Sequence, residues 1–327
     1  MKSILTHAVF VATIALGATL TNGHAQIPGR PINIVVPQPA GNPTDAVARK
    51  MQPLLQKELG QTVIVENAPG AGGSIGTRKV LTTPADSVSV LIASQTEPIL
   101  TPFTIKQANY KPEDLVAVGL VARLPYVLTV RPSLKANNLA ELVELAKRSE
   151  QPLSFGHIGP GSMIHLLGEQ WARKNGIKLN QVPYKGVPPV TQDIMGGQID
   201  LTFLPLGGAT LSMIESGKVK AIATTGASAP HQLPRLATIA GSNQSMADFV
   251  YGTWIALFVP AKTPSDVVAR LNKAMSAVVK DPELQAYVKD SGMDIASESS
   301  VPDLARFYTT ETKLYQGLAR QIGVTAE

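Results

Sequence analysis

The chain contains no cysteine. That absence excludes disulfides, thiolate catalysis, cysteine-ligated metal and a lipid-anchored cysteine in one step. A secreted chain without disulfides is stabilised by burial alone, and about 300 residues is ample for that. Aromatic residues make up only 5% of the chain, and the basic residues are scattered and rarely paired with them. A nucleic-acid surface is therefore a poor reading. Neither charge sign dominates: 29 basic residues stand against 24 acidic ones. An excess that small suits solubility as well as weak steering of anionic small molecules. The sequence also lacks H-E-x-x-H, any His/Asp cluster at metal-ligand spacing and any carboxylate pair with an evident role. Neither a metal nor a cofactor is expected.

Long apolar runs are confined to the N-terminus. Lys2 supplies a short positive region, Ala8–Leu20 an apolar core, and Gly23-His24-Ala25 the small residues before a cleavage point. This pattern predicts a secretory leader over residues 1–25, cleaved after Ala25. The core falls short of the ~20 apolar residues that span a bilayer. Losing Lys2 with the leader lowers the net charge from +5 to +4.

Short β-branched runs alternate with amphipathic segments almost throughout. Strands are expected at Ile32–Pro37, Thr62–Asn67, Val88–Ser94, Leu153–Ile158, Lys178–Pro183, Ile199–Leu204 and Val219–Thr225. Helices are expected at Thr44–Leu59, Ser74–Leu81, Leu139–Ser149, Ser162–Asn175, Pro188–Met195 and Ala209–Ser216. The tail is helical over Pro264–Lys280, Pro282–Ser291 and Pro302–Ile322, each segment opened by a proline. Such alternation implies α/β lobes, each a mainly parallel sheet with flanking helices. Leu115–Val130, an extended run broken at Pro125, and Tyr251–Pro260 read as two crossings between lobes. They assign residues 26–125 and 252–327 to a discontinuous first lobe and 126–251 to a second. Ligands of such sheets bind outside the carboxyl ends of the strands, here in the cleft between lobes.

Three loops leave strand ends and enter helices with glycine and hydroxyl residues. The first, Pro37–Arg49, offers Thr44 as an N-cap behind Gly41-Asn42. The second is "NAPGAGGSIG", Asn67–Gly76. The third, His157–Glu169, has Ser162 as a cap with His165 on the same helix face. A helix N-terminus presents free N–H donors and a partial positive charge, which suits a carboxylate. The second loop fits neither a dinucleotide fingerprint, since Ile75 stands at the last glycine position, nor a P-loop. Ser74 matches G-x-S-x-G literally, but seven residues separate it from the preceding strand. A nucleophile elbow needs an immediate strand-to-helix turn, so a serine hydrolase is the weak alternative.

Several of these segments, taken together, resemble one family. "RPINIVVPQPAGNPTDAVAR", "GQTVIVENAPGAGGSIGT", "VPYKG", "DIMGGQIDLTF", "LFVPAKTPSDVVARLNKAM" and "DPELQAYVKDSGMD" are similar, in that order, to Bug-type (TctC-like) receptors of tripartite tricarboxylate transporters. The similarity runs from about Pro28 to Gly323. It implies a two-lobed, type II periplasmic-binding-protein fold that closes on its ligand like a Venus flytrap. It also implies a monomeric periplasmic receptor, not an enzyme, that passes a small organic carboxylate to the membrane subunits of a transporter; a ligand sensor docking a signalling receptor is the alternative.

The ligand-contacting residues expected on this basis are Gln38, Gly41, Asn42, Pro43, Thr44 and Asp45 in the first loop, with Gln95 and Thr96 after the third strand. From the second lobe come His157, Gly161, Ser162, Met163 and His165, then Tyr184 and Lys185, and Leu204. Arg123 at the first crossing, with Tyr126, is expected to meet a second carboxylate or an aromatic ring. Many members carry an Asp where Leu204-Pro205 stands. A cleft without that acid has less to offer an ammonium, so a di- or aromatic carboxylate is expected over an amino acid.

Overall fold

The computed structural model describes residues 31–84 and 87–324. The expected leader and its cleavage point at Ala25 lie outside the described residues.

The first strand, β1 (Ile32–Val36), is buried except at Asn33 and feeds α1 (Pro43–Leu59). Asn42 caps α1 by accepting Thr44 N–H, and Gly60 closes it in the left-handed conformation (φ 63°). There follow β2 (Val63–Asn67), α2 (Ser74–Leu81), β3 (Val88–Ala93), a π-turn at Thr96–Leu100 and α3 (Thr101–Thr104). β4 then runs for 16 residues, Leu115–Val130. Beyond it come α4 (Leu139–Arg148), β5 (Leu153–His157), α5 (Met163–Asn175), β6 (Leu179–Pro183), α6 (Val187–Met195), β7 (Leu201–Pro205), α7 (Gly208–Glu215) and β8 (Lys220–Thr224). The chain returns through β9 (Gly252–Pro260) and ends in α8 (Ser265–Val278), α9 (Pro282–Asp290), β10 (Asp294–Ile295) and α10 (Val301–Ile322).

The strands pair in the order β2-β1-β3-β9-β4-β7-β5-β6, with β8 and β10 also on β4. β1 is parallel to β2 and β3, and β5 is parallel to β6 and β7. β4 and β9 run antiparallel to each other and to the strands beside them. The strands of each lobe are thus parallel, as expected, except where the two crossing strands traverse the molecule in opposite directions. β4 pairs with β9 from Leu115 to Pro125 and with β7 from Tyr126 onward. One strand therefore serves two sheets, which makes the fold two-lobed.

One core cluster packs α1, α8 and α9 against the outer face of the first sheet, around Met51, Leu271 and Leu284. A second, holding Phe155, Trp171, Phe203 and Trp254, runs through both sheets. α10 packs on β4 and also on α5, so a C-terminal helix spans both halves.

Candidate functional site

The loops after β1, β2 and β3 face the loops after β5 and β6 across a cleft of about 740 Å3. Behind it lies a void of about 30 Å3, lined by Asn42, Thr44, Thr96, Tyr126 and Thr253 among others. The two walls meet at its rim. A Cβ built on Gly161 would stand 2.4 Å from the Thr104 side chain, and one on Gly186 2.8 Å from Pro39. Glycine at both positions permits that approach.

In the first loop the cap is Asn42, not Thr44 as the sequence suggested. Asn42 Oδ1 accepts Thr44 N–H at 3.1 Å, leaving the Thr44 hydroxyl without a partner among the described residues, facing the void. Asp45 does not line the cleft. Its carboxylate accepts from Gly41 N–H, Arg49 Nε and Asn67 Nδ2, each at 3.0 Å, and so ties the loop to β2. Burial raises the Asp45 pKa, but those three donors more than reverse it, and the group stays below its usual value.

The third loop is built by its histidines from behind. His157 Nδ1 accepts Gly159 N–H at 3.2 Å and His165 Nδ1 accepts Gly161 N–H at 3.1 Å. The rings lie 4.7 Å apart. Burial, then the neighbouring His165, pushes His157 down to about 4, and burial lowers His165 too. Both are neutral supports and neither lines the cleft. Ser162 lines it as the α5 cap: its hydroxyl donates to Gly159 carbonyl at 2.7 Å and accepts His165 N–H at 3.4 Å. The hydroxyl hydrogen is therefore used within the loop. The first-turn amides of Met163 and Ile164 have no partner within the helix.

Of the expected residues, the structure gathers Gln38, Asn42, Pro43, Thr44, Thr96, Ser162, Tyr184 and Lys185 around the cleft and its void. Tyr184 Oη donates to Asp193 at 2.6 Å, and Lys185 is exposed at the mouth. Gly41, Asp45, His157, Gly161, Met163 and His165 shape the loops without lining the cavity. Gln95 is fully buried: its Nε2 donates to Tyr126 Oη and its Oε1 accepts from Thr253, linking the two crossings. Leu204 is core, and its neighbour Pro205 takes the lining position. Arg123 is a correction. It is exposed, sits 4.7 Å over the Phe307 ring and opens to a separate cavity of about 960 Å3 on the opposite face of β4. Tyr126 lines the void and not that cavity, and alternation along a strand sends Arg123, three residues away, to the other face.

The sequence reading missed Glu97. It is 2% exposed, lines the cleft and accepts from Gln38 Nε2 at 2.5 Å and from Ser94 N–H and Oγ at 3.1 and 2.9 Å. Burial holds its pKa above the ordinary carboxylate value, against the pull of those donors. An acid immediately after a strand end in "SQTEP" was the available signal. Leu204-Pro205 brings no acid to the cleft, as the sequence indicated, but Glu97 brings one from the other lobe. Gly70–Gly73 line the same wall, all but Ala71 being glycine and all four at positive φ. Ser74 is 1% exposed and its hydroxyl has no partner among the described residues; it does not line the cleft.

The cleft thus offers two helix N-termini, free hydroxyls and one exposed cation, a set that suits an anion. The model of the tripartite tricarboxylate transporter family receptor matches residues 47–324. Protein BugT of Bordetella pertussis is 31% identical over 96% of this chain and 95% of its own. The structure of periplasmic binding protein BugD has a TM-score of 0.85 at 34% identity, covering 92% of this chain and all of that one. Rpa4515 of R. palustris with adipate also reaches 0.85, at 27% identity, over 92% of this chain and 99% of that one.

Proposed function

From the membership of this chain in the tripartite tricarboxylate transporter receptor family, we propose that it is an extracytoplasmic receptor for a small organic carboxylate. The carrying observation is that α1 and α5, from opposite sheets, open into one cleft through Asn42–Thr44 and Ser162. Two helix N-termini facing one cavity give a carboxylate more donors and more dipole field than either gives alone. The Thr44 and Thr96 hydroxyls add donors in the inner void. Residues 32–125 with most of the C-terminal segment form one lobe and residues 126–251 the other. Closure turns about Pro125–Tyr126 and Tyr251–Thr253, where Thr225 Oγ1 accepts Tyr126 N–H and donates to the Tyr251 carbonyl. The closed form delivers its ligand in the periplasm to the membrane subunits of a tripartite transporter.

The likeness to an adipate-bound protein supports the carboxylate class. The narrower expectation of a di- or aromatic carboxylate loses Arg123 as its cation and keeps only Lys185. A thermal-shift screen of mono-, di- and aromatic carboxylates tests the reading, because a ligand that binds only the folded state raises Tm by mass action. If no carboxylate raises Tm, the receptor reading fails.

A further inference from the structure

Gln38 lines both the cleft and the inner void, is 8% exposed, and has one atom without a partner. Its Nε2 donates to Glu97 Oε1, while its Oε1 is buried and accepts from no donor among the described residues. Glu97 sets that orientation. The Ser94 hydroxyl accepts from Thr96 N–H at 3.3 Å and donates to Glu97 Oε2 at 2.9 Å, beside the Ser94 amide. With Glu97 ionised, all three contacts are donors to a carboxylate, which can face only the NH2 end of an amide. Gln38 therefore turns its oxygen away from Glu97. A buried acceptor with no donor is disfavoured, and a ligand that supplies the donor gains by it.

Resting on the receptor reading above, we propose that the ligand carries an N–H or O–H donor besides its carboxylate, and that Gln38 Oε1 accepts it. Glu97 is the positioning residue. Carboxylates bearing a hydroxyl, ammonium or carboxamide meet this requirement. A plain dicarboxylate does not, since its second group brings only acceptors to Gln38 Oε1 and a like charge near Glu97.

The test is calorimetric titration of the full chain with four C4 acids at pH 7.5: succinate, malate, aspartate and succinamate. At least one donor-bearing acid is expected to bind about tenfold or more tighter than succinate. Gln38→Met should bring that acid within about threefold of succinate. Glu97→Gln should narrow the same ratio, because the Gln38 amide is released. General damage would weaken all four acids alike and lower the apo Tm. Succinate binding as tightly as all three, or a margin that survives Gln38→Met, overturns the subsite and leaves the receptor reading standing. Failure of all four acids, and of every acid in the wider screen, removes the receptor reading and the subsite with it.

Discussion

Replacing Thr44 with valine removes a hydroxyl from the inner void and leaves the helix cap in place. Thr44 is 3% exposed, and the cap of α1 is Asn42. Valine keeps the shape and has similar helix propensity, so apo stability should move little. A hydrogen bond to a charged group contributes roughly 1.5–3 kcal/mol. Losing one to a bound carboxylate therefore weakens affinity about tenfold to a hundredfold. Ser162→Ala is the opposite case. Its hydroxyl hydrogen is held by the Gly159 carbonyl and its oxygen by His165 N–H, so the direct loss is a cap worth ~1 kcal/mol. For a chain of this size that lowers the apo Tm by roughly 2–4 °C. Affinity should fall less than for Thr44→Val, through a loosened loop. Calorimetry with the tightest carboxylate from the screen gives Kd, and an apo melting curve gives Tm. Thr44→Val binding as tightly as the parent, or Ser162→Ala losing more affinity than Thr44→Val, refutes the assignment of donors.

Three further outcomes follow from the same geometry. His157 is neutral when folded, its pKa depressed from 6.5 to about 4, whereas the unfolded chain takes up the proton near 6.5. Its contribution is thus fully present above pH 6.5 and lost as pH falls toward 4, about 3 kcal/mol in all; denaturant titrations at pH 7.5 and 4.5 should show a smaller pH effect in His157→Asn, and an equal one would refute the linkage. Gly161→Ala places a Cβ 2.4 Å from the Thr104 side chain at φ +75°, which should hold the lobes apart: small-angle scattering should show the parent, but not the variant, contracting with saturating ligand, and a variant that contracts equally sinks the idea. Ser74→Ala removes a buried hydroxyl with no partner, so its apo Tm should stay level or rise, and any ester hydrolysis lost in that variant would contradict the receptor reading.

The elements were legible because their periodicity is strong. Ser74–Leu81 is a helix over the expected residues, and Leu115–Val130 is one strand of that span. The π-turn at Thr96–Leu100 and the short α3 left no periodic trace, since neither is long enough to show a face. Loop positions were legible, and side-chain allegiance within them was not. Asn42 and Thr44 are both good caps, and only backbone geometry decides between them. Arg123 and Tyr126 are three apart on a strand, so period 2 already places them on opposite faces; pairing them was an error that alternation could have prevented. Glu97 was overlooked because a charged residue is read as solvated unless a donor set is known. Here the donors come from Gln38, 59 residues away, and from a turn at Ser94.

The titratable residues nearest the cleft are, Lys185 and Glu97 apart, committed elsewhere. Asp45, His157 and His165 accept backbone amides, and Tyr184 is bound to Asp193. What lines the cleft is a ring of amides and hydroxyls, with Lys185 exposed at the mouth. A buried cation opposite a carboxylate would have to be desolvated each time the cleft opened or closed, and stranded without its partner on release. Fixed dipoles avoid that, because helix termini and capped loops are held by the fold whether or not an anion is present. Glu97 is the buried exception, and its place in the cleft is tolerable because three donors already surround it. On the proposal above, specificity resides in Gln38 Oε1, and an exchange of Gln38 or Glu97 should alter which carboxylate is held before it alters whether one is held at all.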